Sequence, residues 1–150
     1  MRIFIDADGC PVVRLTMEIA ARYGLEVTIV CDTAHEFEGR GAEVVTVGKG
    51  ADSADYALVN LMRAGDVAVT QDYGLAAMCL AKKAHAINQN GLIYSDDNIG
   101  SLLMSRHMNQ KLKRSGKHLK GPKKRTSEQD RQFETALSSL LDKLRKGGMT

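Results

Sequence analysis

An α/β fold with a mostly parallel central sheet and helices on both faces is predicted by two features of the first hundred residues. Short β-branched runs alternate with amphipathic helical patterns, and the runs are apolar almost throughout rather than at every second position. Strand–helix–strand alternation of this kind makes a doubly wound parallel sheet the economical arrangement.

The strands are expected at Arg2–Asp6, Glu26–Cys31, Glu43–Val47, Asp66–Thr70 and His85–Asn88, the first four reading as covered on both faces. Between them, helices are expected at about Pro11–Tyr23, Asp52–Ala64 and Tyr73–Lys83. Pro11 suits a first-turn position, Asp52-Ser53 and Asp72 suit N-caps, and Gly24 and Gly65 suit C-terminal stops. After Gly91, Asp96-Asp97-Asn98 caps a helix of roughly 97–114. A basic, glycine-interrupted stretch follows. A last helix restarts at Thr126 or Ser127, with Phe133, Leu137, Leu140, Leu141 and Leu144 on one stripe. No internal repeat is present.

At 150 residues, 43% hydrophobic and 26% charged, the chain reads as one soluble domain. Residues 1–105 form the α/β body. Residues 106–150 form a basic segment and a C-terminal helix packed on or extending from that body. The first apolar run is short and ends in acids, unlike a signal peptide, and no apolar stretch approaches the roughly 20 residues of a membrane span. A cytoplasmic location with no membrane partner is expected. Cys10, Cys31 and Cys79 are odd in number and widely spaced, which argues against disulfides and structural zinc.

Charge is divided unevenly. Residues 1–105 carry 8 Lys and Arg against 14 Asp and Glu, whereas residues 106–150 carry 13 against 4. Carboxylate chemistry is therefore expected in the body and an anionic partner at the tail.

In a parallel sheet the site lies at the carboxyl ends of the strands. FIDADG, GKGADSADYALV and GDVAVTQDYGLAA each follow or end a strand on that edge, which would gather Asp6, Asp8, Asp52, Asp55 and Asp72. Crowded carboxylates repel and raise one another's pKa, so such a cluster calls for a cation. Oxygen ligands suit Mg²⁺ or Mn²⁺, which activate water and stabilise charge on a phosphodiester. Helix capping alone is the competing account of Asp52, Asp55 and Asp72. Asp6 resists it, because an acid ending a buried strand is costly without a partner.

FIDADGCPV, GADSADYALVN, GDVAVTQDYGLAA with INQNG, and RHMNQKLKRSGKHLKGPKKRT together resemble the YaiI/YqxD family over nearly the whole chain. That family is grouped with PIN-like domains, many of them metal-dependent ribonucleases. The resemblance implies a three-layer PIN-like fold and metal-ligand roles for Asp6, Asp52 or Asp55, and Asp72, with Thr70 beside the site. KGAD at 49–52 also resembles the Lys-Gly-x-Asp step of NYN nucleases. An extra acid that many PIN nucleases carry has no direct counterpart, although Asp8 could stand in; Asp8 would orient the water, making Asp6, Asp8 and Asp72 the catalytic set. Gly9 and Cys10 would line the pocket. Cys10 also stands at a helix start, where a thiol pKa can fall, but no His is placed nearby in sequence to activate it.

The tail holds nine Lys and Arg and no acid between Arg106 and Arg125. Arg106, Lys113, Arg114, Lys123, Lys124 and Arg125, with Lys49 in the body, are expected to contact the phosphates of a nucleic acid, RNA more than DNA. Between Tyr94 and Phe133 no aromatic residue offers a base-stacking platform. For the tail, a solvated basic segment and arginines paired with the acidic body are the competing accounts. Two other readings of the function stay open. One is a non-catalytic nucleic-acid-binding module. The other starts from FIDADG, which also resembles the haloacid-dehalogenase-like phosphatase motif, with Asp6 as nucleophile and Lys49, Asp66 and Asp72 as loose mimics of later motifs.

Overall fold

The computed structural model describes residues 1–32, 37, 41–48, 53–114 and 124–147. Five parallel strands form one sheet among these residues: β1 (Ile3–Asp6), β2 (Val27–Cys31), β3 (Glu43–Thr46), β4 (Val67–Val69) and β5 (His85–Ile87). Their order is β3-β2-β1-β4-β5. The chain winds outward from β1 to β3, crosses back, and continues on the other side from β4. The order therefore reverses between β1 and β4, which makes that crevice the topological switch point.

Helices α1 (Val13–Arg22) and α5 (Ser127–Gly147) cover one face, and α2 (Ser53–Leu61), α3 (Tyr73–Ala81) and α4 (Ile99–Arg114) belong to the other. Strand alternation decides the division. Ile3, Ile5, Val67, Val69 and Ile87 meet Ile19 of α1 and Phe133, Leu137 and Leu141 of α5. Phe4, Val30, Ala68 and Ala86 point oppositely, onto Leu58, Leu75 and Cys79. Each fully buried large apolar side chain stabilises by about 1.5–3 kcal/mol. These three layers are those expected of a PIN-like fold.

Helix ends follow local chemistry, with some departures from the sequence expectation. Gly24 (φ +66°) closes α1 in a Schellman motif, its N–H donating to Ala21 O while Leu25 N donates to Ala20 O. Pro11 lies before the helix rather than in its first turn, because α1 begins at Val13. Gly65 does not stop α2, which already ends at Leu61. Its φ of +89° shapes the turn into β4, where Asp66 Oδ2 accepts from Arg63 N. Asn98 turns back to Ile93 O and Ser95 N instead of capping the next turn. β3 is a half-exposed edge strand rather than one covered on both faces. Thr126 and Gln129 form a reciprocal capping box at the start of α5.

The C-terminal helix is tied to α1 by polar contacts beside the shared core. Tyr23 Oη donates to Ser138 O and Asp142 Oδ1, Arg145 bonds Tyr23 O, and Arg22 pairs with Glu134. Arg125 makes the other join. It bonds Asp130, Asn90 Oδ1 and Gln89 O, and so fastens the start of α5 to the loop after β5. Gly91 completes that join: a Cβ there would come 2.7 Å from Gln132 O.

Lys83 occupies the position in α3 that Gly24 occupies in α1, at φ +66°, with Lys83 N bonded to Leu80 O and Ala84 N to Cys79 O. A left-handed conformation is unfavourable for any residue with a Cβ. Lys83→Gly is therefore expected to stabilise the fold by about 0.5–1 kcal/mol, once glycine's extra unfolded-state entropy is deducted. Urea denaturation measures this, and an unchanged or lowered midpoint would contradict it.

Candidate acidic site at the switch point

β1 delivers Asp6 to the crevice at its last residue, on the same face as Phe4. The chain then turns sharply over 7–10. Cys10 N donates to Ala7 O, and Gly9, at φ +74°, takes the position of such a turn that demands a positive φ. Across the switch point, β4 is followed at once by Thr70, Gln71 and Asp72. Thr70 is 1% exposed and has its polar groups committed. Its Oγ1 donates to Asp6 Oδ2 (2.8 Å) and accepts from Asp72 N (3.0 Å), while its carbonyl accepts from Tyr94 Oη (3.1 Å). One hydroxyl therefore joins the two strand ends.

Asp72 caps α3, its Oδ1 accepting from Gly74 N (2.8 Å) and Leu75 N (3.2 Å). The same oxygen meets Arg106 Nη1 at 3.2 Å. Asp8 Oδ2 accepts from Asp32 N, and Gln71 Nε2 donates to Gly9 O, which fastens the β1 turn to the β4 turn. Asp6, Asp8, Gly9, Gln71, Asp72, Tyr73 and Arg106 line an open cavity of about 500 Å³.

Electrostatics mark Asp6 as the uncompensated group. Burial raises its carboxyl above the ordinary carboxylate value, the Thr70 hydrogen bond opposes the rise, and the charges of Asp72 and Asp8 add to it. Cys10 is no activated nucleophile, because burial pushes its thiol up to about 11. The Cys79 thiol is pushed up to about 12 by burial and then by Asp55 and Asp6, and α2, which carries Asp55, covers the same face of the sheet as Asp6.

The sequence-expected residues divide by position. Asp6, Asp8, Gly9, Asp72 and Arg106 share the cavity. Thr70 lies beneath it, bonded to two of its acids. Cys10 packs against the core on the α1 face, and Asp55 stands in the first turn of α2. Lys49, Asp52 and Lys123 lie outside the described residues, as do the side chains of Lys113 and Arg114. Lys124 is exposed, whereas Arg125 is engaged within the protein. Asp66 sits at the opposite, amino edge of the sheet, accepting from Arg2 N and Arg63 N, so it takes no part beside Asp6. Two residues missed on sequence, Gln71 and Tyr73, reach the cavity because they flank Asp72. Their signal was adjacency alone. Tyr73 stands edge-on to Tyr94 at 6.0 Å, which gives the cavity an aromatic wall.

The carboxylate oxygens suit a hard cation, and burial of Asp6 among negative charges supplies a reason to bind one. Among the described residues no group of three or more His, Cys, Asp and Glu is arranged to hold a metal. Two carboxylates nevertheless suffice for Mg²⁺, which keeps several waters and takes further oxygens from a substrate phosphate.

Comparison with known proteins gives the lineage. A family model described as "Uncharacterized BCR, YaiI/YqxD family" matches residues 4–143. The chain is 53% identical over 141 residues to a UPF0178 protein of Exiguobacterium sibiricum, covering 94% of this chain and 96% of that one. It is 48% identical over 143 residues to a UPF0178 protein of Clostridium acetobutylicum, covering 94% and 97%. No solved structure matches. No helix among the described residues is long and apolar enough to cross a membrane.

Two predictions follow from Thr70 and Asp6. Thr70→Val keeps the shape but strips both hydrogen bonds of the hydroxyl, leaving Asp6 Oδ2 and Asp72 N without it. A loss of about 2–3 kcal/mol is expected in denaturant unfolding, and a loss below about 0.5 kcal/mol would contradict the bridging role. For Asp6, a folded pKa above the unfolded one means that the folded state holds its proton longer as pH rises. Stability is then lost from the ordinary carboxylate value upward. Asp6→Asn, which can still accept from Thr70, is expected to raise the melting midpoint of the metal-free protein at neutral pH. The gain should vanish below about pH 4. A midpoint lowered equally at both pH values would contradict this.

Proposed function

The chain belongs to the YaiI/YqxD family, and from that membership and the geometry of the switch point we propose that it is a divalent-metal-dependent nuclease, acting on RNA more than DNA. The observation that carries the reading is the convergence of Asp6 and Asp72 on one cavity, joined through a single buried hydroxyl, with Asp8 beside them. A carboxylate buried like that of Asp6 with two further acids beside it is costly to stability, and a site that binds Mg²⁺ or Mn²⁺ explains its retention.

Each residue has a part. Asp6 and Asp72 hold the cation, with Asp55 and Asp52 of the neighbouring segment as further oxygen donors. When bound, the cation supplies an acidified water and stabilises charge on the phosphodiester. Thr70 fixes the Asp6 carboxylate in one rotamer and ties its position to that of Asp72. Asp8, steadied by Asp32 N, orients water at the rim. Arg106, with exposed Lys111 further along α4, offers a cationic path for a phosphate backbone. Lys124 is a further exposed cation. Tyr73 supplies an aromatic face beside the acids.

A second reading, a nucleic-acid-binding module without catalysis, is favoured by the lack of a three-ligand group among the described residues. Incubation of a labelled single-stranded RNA with the protein separates the two. Cleavage in millimolar Mn²⁺ or Mg²⁺ is expected, abolished by chelator and reduced on the order of 100-fold or more by Asp6→Asn. Retained RNA binding without metal-dependent cleavage would leave the binding module as the function.

A further inference from the structure

The contact between Arg106 and Asp72 has the form of a displaceable plug rather than a structural brace. Among the described residues, Asp72 is the one hydrogen-bonding partner of the Arg106 guanidinium, reached by a single nitrogen at 3.2 Å. That is longer than a typical charge-assisted bond of about 2.7–2.9 Å and lacks the two-point fork that makes arginine–carboxylate pairs strong. Asp72 does not need it, because the same Oδ1 already accepts from Gly74 N and Leu75 N. Both side chains reach solvent, Arg106 at 48% and Asp72 at 31% exposure, where an ion pair contributes little. Arg106 lines the same cavity as Asp6, Asp8 and Tyr73. Gly74 leaves the Asp72 oxygen uncrowded, since a Cβ there would come 3.2 Å from Asp72 Oδ1.

We propose that Arg106 couples phosphate and cation binding, covering Asp72 until a phosphodiester draws its guanidinium away and frees that carboxylate for the cation. The inference rests on the metal reading above. A cation and a guanidinium compete for one carboxylate, so the cation alone binds against Arg106. A phosphodiester offers the guanidinium two oxygens in the planar geometry it prefers, and Asp72 is released. Each ligand then strengthens the other by the same factor. Arg106 in this reading binds the phosphate directly and acts on the cation through Asp72.

The test is a calorimetric Mn²⁺ titration of the wild type, Arg106→Gln, Arg106→Lys and Asp6→Asn, each with and without a saturating 2′-O-methyl oligoribonucleotide, which resists cleavage. In the wild type the oligonucleotide is expected to tighten Mn²⁺ binding by about five- to tenfold. Arg106→Gln should bind Mn²⁺ more tightly than wild type when alone and show a smaller further tightening than wild type, the remainder coming from direct phosphate–metal contact. Arg106→Lys, which keeps the charge but not the fork, should restore part of the coupling. Equal coupling in wild type and Arg106→Gln, or none in the wild type, overturns the proposal while leaving the metal site intact. Absence of Mn²⁺ binding in the wild type, or binding unaffected by Asp6→Asn, overturns the metal reading and the coupling with it.

Discussion

The hydroxyl of Thr70 is the interaction on which the candidate site depends. It donates to an acid that ends β1 and accepts from the backbone of an acid that follows β4, two strands adjacent in the sheet but far apart in sequence. A buried hydroxyl has one proton and a limited choice of geometry, so satisfying both bonds fixes the two acids relative to each other. The carbonyl of the same residue is held by Tyr94, which is itself buried. The carboxylates are therefore set on a rigid foundation, although burial disfavours the charge of Asp6.

That foundation exists because of the strand order. Only at the reversal between β1 and β4 do two strand ends face each other with their following loops diverging to opposite faces. The two core clusters press on the sheet from either side. α1 and α5 seat Ile3, Ile5, Val67 and Val69, and α2 and α3 seat Phe4 and Ala68. Cys10, in the loop leaving β1, packs into the first of these clusters, so it ties the acidic turn to the core. Asp66 bonds Arg2 N and Arg63 N at the amino edge and fixes the far end of the same strand pair.

Most of this fold was legible in the sequence, because apolar β-branched runs and capping residues report local physics. β1, β2 and β4 begin and end within a residue or so of where Ile, Val and Phe give way to polar residues, and Asp72 caps α3 through its own side chain. What was not legible depends on distant partners. Arg125 reads as one more cation in a basic tail, yet its neighbours in space are Gln89, Asn90 and Asp130. Nothing local distinguishes Arg106, which meets an acid on another helix, from Lys111, which stays exposed. Gly65 satisfies the pattern of a helix stop, but its positive φ serves the turn into β4. At the site, the strand-end rule pointed to Asp6, Asp8 and Asp72. Tyr73 offered no signal beyond its adjacency to Asp72.

The central claim is that Asp6 and Asp72 together form a cation site at the switch point. The most direct measurement is the anomalous diffraction of crystals of the full chain grown with Mn²⁺. The account predicts a peak within coordination distance of both carboxylates, about 2.0–2.2 Å from their oxygens, with the Thr70–Asp6 hydrogen bond retained. Well-ordered Asp6 and Asp72 side chains with no peak between them, in millimolar Mn²⁺, would contradict it.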